Sequence, residues 1–377
     1  MKILINTATL KGTGVVQVAS SFINECASMT DNKYVVFLSP NVKSNINIET
    51  FPNNFKFYEF GKDSLYGIKG RKDKKRMRQI EAEEAPDVVF SVFGPALWKP
   101  KAPHILGYAY PHYIYRDSPL FAMLSVKEKL MVKIRELYHL FRLKLEGDFY
   151  VCETDDVAAR LSKYHQIDIN NIYRVYNTAS SVFLNYKSHD ILREDNEFRF
   201  FTLCSPYKHK NMAILNKVIP VLKQKVFNKQ IKFYITYPEK DYLNSFNPAV
   251  RDWIVNVGPL KVQECPGLVE KCDALFLPTL LECYSASYPE AMCMRKPIIT
   301  SNLTFAETVC KDAALYFDPM NENSIVECID KLVSNQSVRE MLISKGRDRL
   351  LVFGTAHDRA MEYLKICQEV SLRSANK

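Results

Sequence analysis

Short apolar, β-branched or aromatic runs alternate along the chain with longer segments whose apolar residues recur every three or four positions. The first pattern predicts buried strands and the second helices, and their alternation predicts parallel sheets with crossover helices. In the N-terminal half the strand runs are 2–5, 34–38, 55–60, 88–92, 104–108, 149–152 and 173–175, with helices over about 15–28, 73–84, 125–146 and 154–163. The stretch 185–197 has few apolar residues and no period, which predicts a linker. Beyond it come strands 198–203, 231–236, 254–257, 274–277 and 297–300, and helices near 211–226, 287–294, 322–334 and 337–350. The expected fold is therefore α/β: two Rossmann-like, doubly wound parallel-sheet domains, 1–187 and 188–354, facing a cleft. A last helix within 355–377 either closes the second domain or crosses back to the first. Ligands of such sheets bind beyond the carboxyl ends of the strands, so the cleft is the expected site.

The length of 377 residues suits two domains, and 47% hydrophobic with 25% charged residues excludes a disordered or fibrous chain. No run approaches the ~18 apolar residues of a membrane helix. The start, Met1 to Asn6, is too short in apolar residues for a signal-peptide core. Ten cysteines are scattered without a C-x-x-C pair or a Cys/His cluster, so reduced thiols and a cytoplasmic location are expected.

Candidate chemistry gathers at strand ends. After strand 274–277 the chain reads Leu281-Glu282-Cys283-Tyr284-Ser285-Ala286-Ser287-Tyr288-Pro289-Glu290-Ala291-Met292, and Pro289 suits the first turn of a helix. Amides at Ser285, Ala286 and Ser287 would then be donors for a phosphate or sugar hydroxyl, with Glu282 and Glu290 as acceptors for hydroxyls. The plainer account is that both glutamates only favour a helix start electrostatically. After strand 198–203, Ser205-Pro206-Tyr207-Lys208-His209-Lys210-Asn211 places cations where a diphosphate would be neutralised, or else forms a solvated basic turn. Gly12-Thr13-Gly14 follows the first strand, where two glycines let backbone approach a ligand closely. His112 follows strand 104–108, whereas His104 begins it and reads as structural. Asn177, in Val175-Tyr176-Asn177-Thr178, suits a turn.

Glu-x7-Glu followed by Ala-Met, then the Arg295-Lys296-Pro297-Ile298-Ile299-Thr300-Ser301 strand and the Glu307, Asp312 and Phe317-Asp318-Pro319 positions, resembles glycosyltransferase family 4 over 274–319. The resemblance implies a retaining, metal-independent enzyme of the GT-B fold. Its donor would be a nucleotide-diphosphate sugar and its acceptor a glycan or lipid-linked molecule of cell-envelope polysaccharide or glycolipid synthesis. It further implies that Glu282 contacts donor-sugar hydroxyls, Glu290 holds the ribose, Lys210 with Lys208 meets the diphosphate, and Gly12 and Gly14 approach the donor. His112 is the matching donor-sugar histidine. The chain departs from the family at Cys283, where glycine is usual, and at Ser205, where an arginine is common. None of the aspartates is followed two positions later by another, so no D-x-D is present to hold a metal against a diphosphate. No cofactor is expected beyond the donor itself.

The net charge is +9, and most of the excess falls in residues 1–190. Residues 69–78 hold seven Lys and Arg against one acid. In 125–146, Val126, Leu130, Ile134, Leu137, Phe141 and Leu145 form an apolar stripe among Lys127, Lys129, Lys133, Arg135, Arg142 and Lys144. Such a helix either faces a core or lies in a membrane interface. The first segment is either a solvated loop or an anchor for anionic lipid on the inner face of a membrane. A nucleic-acid binder lacks stacking aromatics around 69–78, so no nucleic-acid partner is expected. An epimerase on the same fold stays open, distinguished by acting without an acceptor. A phosphorylase would need a cofactor-lysine segment that the chain lacks.

Overall fold

Strands that are buried on both faces need continuous apolar sequence, and the runs Lys2–Asn6 (β1), Lys33–Leu38 (β2), Val88–Ser91 (β4) and Phe149–Cys152 (β6) meet that need. The computed structural model describes residues 1–61, 67–187 and 196–375. Two compact units emerge, the first drawing its described residues from Met1–Ile114, Ser125–Asn177 and Gly354–Lys377, the second from Tyr115–Leu124 and Thr178–Phe353.

In the first unit Phe55–Glu59 (β3), His104–Gly107 (β5) and Ile172–Arg174 (β7) complete a seven-stranded parallel sheet of order β3-β2-β1-β4-β5-β6-β7. Its helices are Thr13–Cys26 (α1), Pro40–Lys43 (α2), Gly67–Glu84 (α3), Val126–Glu146 (α4) and Asp155–His165 (α5), joined late by Ala356–Ala375, the last helix of the chain. That helix supplies Tyr363, Leu364, Ile366, Cys367 and Val370 to the same core as β1, β2 and α1. Its Tyr363 ring lies 5.2 Å from Phe22 and 5.0 Å from Phe90. The buried Arg359 guanidinium donates to Asn177 Oδ1 and, at 2.8 Å, to Ser21 Oγ.

The second unit begins, after the turn helix Ser181–Leu184 (α6), with Glu197–Thr202 (β8), then Gln230–Ile235 (β9), Ile254–Asn256 (β10), Ala274–Leu277 (β11), Ile298–Ser301 (β12) and Ala314–Phe317 (β13). These form a parallel sheet of order β10-β9-β8-β11-β12-β13, the 3-2-1-4-5-6 order of a doubly wound fold. Leu215–Leu222 (α7), Glu239–Ser245 (α8), Cys265–Glu270 (α9), Ser287–Cys293 (α10), Thr304–Cys310 (α11), Glu322–Ser334 (α12) and Gln336–Phe353 (α13) are its helices, leaving Ala356–Ala375 as α14. Each unit has the Rossmann-like winding expected from the sequence, with its switch point between β1 and β4 or between β8 and β11.

Several sequence expectations need correction. The helix read from 73 starts at Gly67, so the basic run is helical rather than a loop. Lys and Arg are good helix formers, and Met77, Ile80, Glu81 and Glu84 give this helix one buried edge at i, i+3, i+4 and i+7 spacing. The helix expected over 211–226 opens as a 3-10 turn and stops at Leu222, just past Pro220. Strand β13 and helices α8, α9 and α11 were not expected; they are too short to show a period. Of the expected linker 185–197, residues 188–195 lie outside the described residues, and Glu197 already begins β8. The apolar stripe of α4 does not face a core: Leu130, Ile134, Leu137 and Phe141 are all exposed.

Candidate functional site

In the second unit the two neighbouring strands at the switch point, β8 and β11, end at Thr202 and Leu277, and the segments that follow each carry one half of the candidate site. Lys208–Lys210 forms a single 3-10 turn, closed by Asn211 in the left-handed region at φ 56°, a conformation asparagine tolerates. The Asn211 side chain, buried, donates to the Pro319 carbonyl at 2.9 Å and so fixes the turn from behind. The two segments are then bolted together by one backbone oxygen. The His209 carbonyl accepts from the Leu280 amide at 2.7 Å and from Thr279 Oγ1 at 3.1 Å. The next residue, Lys210, therefore meets Glu282, and the two form a close ion pair. Glu282 Oε1 lies 3.3 Å from Thr279 Oγ1, a second acceptor within reach of the same hydroxyl.

Both side chains of that pair are mostly buried, 15% exposed for Lys210 and 14% for Glu282. Burial works against the charge of Lys210, yet Glu282 beside it holds the ammonium pKa above its ordinary value. A cation kept charged in a partly dry site is strongly attractive to a phosphate, whose arrival would have to compete with Glu282.

Among the described residues the second glutamate has no ion-pair partner. Glu290 sits in the first turn of α10 with part of its surface exposed, but burial of the carboxyl lifts its pKa from 4.5 to about 8. α10 is held by Tyr288, wholly buried, whose hydroxyl lies 2.9 Å from Thr300 Oγ1, which in turn donates to the Leu277 carbonyl at 2.9 Å. The sign of the resulting pH effect follows from the raised acid pKa. Between pH 4.5 and 8 the folded state keeps a proton that the unfolded state has lost, so stability falls as pH rises through that window. Replacing Glu290→Gln should remove the fall: melting temperatures of variant and wild type should diverge from about pH 5 to 8 in the variant's favour, then run parallel. Parallel curves throughout would show that the carboxyl ionises normally.

Ser285 is buried and its carbonyl accepts from the Tyr288 amide at 3.2 Å; Ala286 caps α10 without a side-chain bond, and Ser287 is its first residue. Cys283, standing where the family has glycine, is buried and is not among the residues with positive φ, so the loop accommodates its Cβ without left-handed backbone. Ser205 and Lys208 are exposed. Tyr207 stacks on His209 with ring centroids 5.5 Å apart. The segment Tyr115–Leu124 also belongs to this unit, and its Ser118 hydroxyl donates to the Leu280 carbonyl at 2.7 Å, two residues from Glu282.

The remaining sequence candidates lie in the first unit. Gly12 precedes α1 in extended conformation, φ −75° and ψ 146°. A Cβ on Gly12 would meet only Val15 at 3.7 Å, and one on Gly14 would meet nothing within 4 Å. Neither glycine is demanded by the fold's own packing, so the space beside them is open. His112 is half-buried in the 3-10 turn Pro111–Tyr113 that follows β5. His104 is fully buried, with Nε2 2.8 Å from Ser91 Oγ, Nδ1 2.9 Å from the Glu146 carbonyl, and its pKa lowered to about 4 by burial. Asn177 is spent on Arg359. Sequence reasoning did not find Thr279, Asn211's grip on Pro319, or Ser118. Of these only the left-handed Asn211 carried a local signal.

Among the described residues no group of three or more His, Cys, Asp or Glu side chains gathers as a metal site, and no helix is long and apolar enough to cross a membrane.

Two Rossmann-like parallel-sheet units of this kind define the GT-B architecture. The chain has that fold, and residues 198–335, which contain Lys210, Glu282 and Glu290, match the family described as glycosyl transferases group 1. The O-antigen chain mannosyltransferase RfbU of Salmonella typhimurium is 24% identical over 199 residues, 51% of this chain and 53% of that protein, so the match spans about half the length of that curated relative. Among solved structures, a glycosyltransferase from Rickettsia africae superposes with a TM-score of 0.72 at 14% identity, covering 98% of each chain. Anabaena Alr3699/HepE, solved with UDP and glucose, gives 0.71 at 13% identity over 98% of this chain and all of that one. At such identities these likenesses show the fold.

Proposed function

We infer that the protein is a retaining, metal-independent glycosyltransferase that moves a sugar from a nucleotide-diphosphate donor to a glycan or lipid-linked acceptor in envelope polysaccharide synthesis. The observation that carries this reading is the Lys210–Glu282 pair at the β8/β11 switch point, with Glu290 on the following helix, inside the segment that matches the group 1 family. The ammonium of Lys210, with Lys208 nearby in the same turn, neutralises the diphosphate as it leaves, an electrostatic role. Released from Lys210, Glu282 accepts hydroxyls of the donor sugar. The buried Glu290 carboxyl takes the ribose hydroxyls, and the amides of Ser285, Ala286 and Ser287 contribute donors to the phosphate side. Ser205, exposed in the segment that follows β8, borders the same phosphate region.

In the first unit, Gly12 and Gly14 leave room for close backbone approach, and His112 contacts the donor sugar. The envelope assignment draws on the names of similar proteins: an O-antigen chain mannosyltransferase and a lipopolysaccharide outer core galactosyltransferase, WaaB, whose structure gives a TM-score of 0.58 at 13% identity.

A thermal-shift panel of nucleoside diphosphates and nucleotide sugars tests the donor half. One base should raise the melting temperature in step with the logarithm of ligand concentration, and the Lys210→Met variant should lose that rise. A flat response to every nucleotide would sink the reading. Conversion of a bound nucleotide sugar to its epimer without acceptor would replace transfer by epimerisation.

A further inference from the structure

Helix α4 carries its polarity the wrong way round for a helix on a globular domain. Its buried positions are Glu136, His139, Leu143 and Glu146, three of them ionisable. At 3.6 residues per turn the apolar stripe of Val126, Leu130, Ile134, Leu137, Phe141 and Leu145 lies roughly opposite that buried edge. Val126 is 84% exposed, Phe141 61%, Leu130 59% and Leu137 58%. Monomeric proteins seldom leave a contiguous apolar ridge of this length facing water, so something covers it.

Several of the inward polar groups make contacts that fix the helix's rotation, although the buried His139 Nε2 has no hydrogen-bond partner among the described residues. Glu146 accepts from the Ala96 amide at 2.7 Å and the Leu97 amide at 3.2 Å and pairs with Arg142, and Lys133 Nζ pairs with Glu136 at 2.9 Å. The His139 ring packs 4.1 Å from Tyr110 and 5.1 Å from Tyr113. Turning the ridge inward would break these contacts. The capping box of Ser125 and Glu128 sets the first turn in the same rotation.

Charge identifies the occupant. Lys127, Lys129, Lys133, Arg135 and Lys144 are exposed along α4, whereas two of its three acids are buried. The basic helix α3 comes within electrostatic range of α4 at Lys74, whose ammonium pKa is lowered by burial and then by the charge of Arg142 on α4. Arg71, Lys75 and Arg78 stand at i−3, i+1 and i+4 from Lys74, on the same side of α3, and all three are exposed. An apolar ridge flanked by cations matches an anionic bilayer, whose acyl boundary takes the ridge and whose headgroups take the Lys and Arg.

We propose that the α4 ridge, with the adjoining basic side of α3, is the surface by which this protein docks on an anionic membrane. The proposal stands apart from the nucleotide site, since none of these residues belongs to it.

Flotation of the full chain with vesicles tests it. Wild type should float with phosphatidylcholine vesicles containing about a quarter phosphatidylglycerol and stay below with phosphatidylcholine alone, and raising salt should release it. Leu137→Gln/Phe141→Gln should weaken partitioning about tenfold or more without lowering the melting temperature, because both side chains are already in solvent. Arg71→Gln, Lys75→Gln and Arg78→Gln should each weaken it roughly fivefold, the factor that ~1 kcal/mol per basic residue gives. The nucleoside-diphosphate thermal shift should be unaltered in all of them, which separates failure here from failure of the site. Equal partitioning to both vesicle types, or none, would overturn the proposal. So would a dimer in sedimentation that the Leu137→Gln/Phe141→Gln change dissociates, since the ridge would then be covered by a second copy.

Discussion

Replacing Lys210→Met should lower sugar transfer by roughly 10²–10³-fold, the usual cost of removing one preorganised charge from a departing anion, while leaving the circular dichroism spectrum unchanged. The more discriminating change is Glu282→Gln. In the ligand-free protein the carboxylate already neutralises Lys210, so a diphosphate has to displace it. Without that competitor, a nucleoside diphosphate lacking a sugar should bind more tightly to Glu282→Gln than to wild type, even as transfer from the complete donor collapses. Titration calorimetry with the diphosphate alone, beside a transfer assay, reads the two opposite signs. Weaker diphosphate binding in Glu282→Gln would mean that the carboxylate orders Lys210 rather than competing for it. Unchanged transfer in Lys210→Met would remove that residue from the site.

The largest expected loss of stability lies far from any ligand. Arg359 is buried, and its two bonds to Asn177 and Ser21 tie α14 to the loop after β7 and to α1. Arg359→Leu removes a charged donor from two polar partners in a dry place, which should cost about 3 kcal/mol. For a unit of this size that lowers the melting temperature by roughly 6–12 °C. Glu362, exposed on the same helix, is the control, and Glu362→Gln should move it hardly at all. Equal behaviour of the two variants would show that α14 is held by its apolar face alone.

Sheet order follows from features that a sequence displays openly. Buried parallel strands are continuous apolar runs, as in β4 and β6, and the crossover helices between them carry a period. β13 escapes because Ala314–Phe317 has only its two ends buried, and α8 and α11, at seven residues each, are too short for periodicity to register. The candidate residues Lys210, Glu282 and Glu290 stand out one by one in the sequence, since each follows a strand or opens a helix. What joins them does not. The His209 carbonyl that draws the two loops together is backbone, and Ser118 reaches Leu280 from 162 positions away. α4 shows a third kind of limit. Its spacing reveals that one side is apolar, but which side meets the protein depends on partners such as Ala96 and Tyr110 that lie elsewhere in the chain.

The late return of the chain to its first unit sets an order of assembly. Residues Met1–Ile114 and Ser125–Asn177 leave the ribosome with Phe22 and Phe90 lacking the Tyr363 ring that will cover them, and about 180 further residues are made before it arrives. The second unit, by contrast, has all its strands and helices in hand once Phe353 emerges. The half of the protein synthesised first is therefore the half completed last, and a nascent chain stalled before α14 would offer chaperones an open seam along α1 and β4 rather than a finished domain.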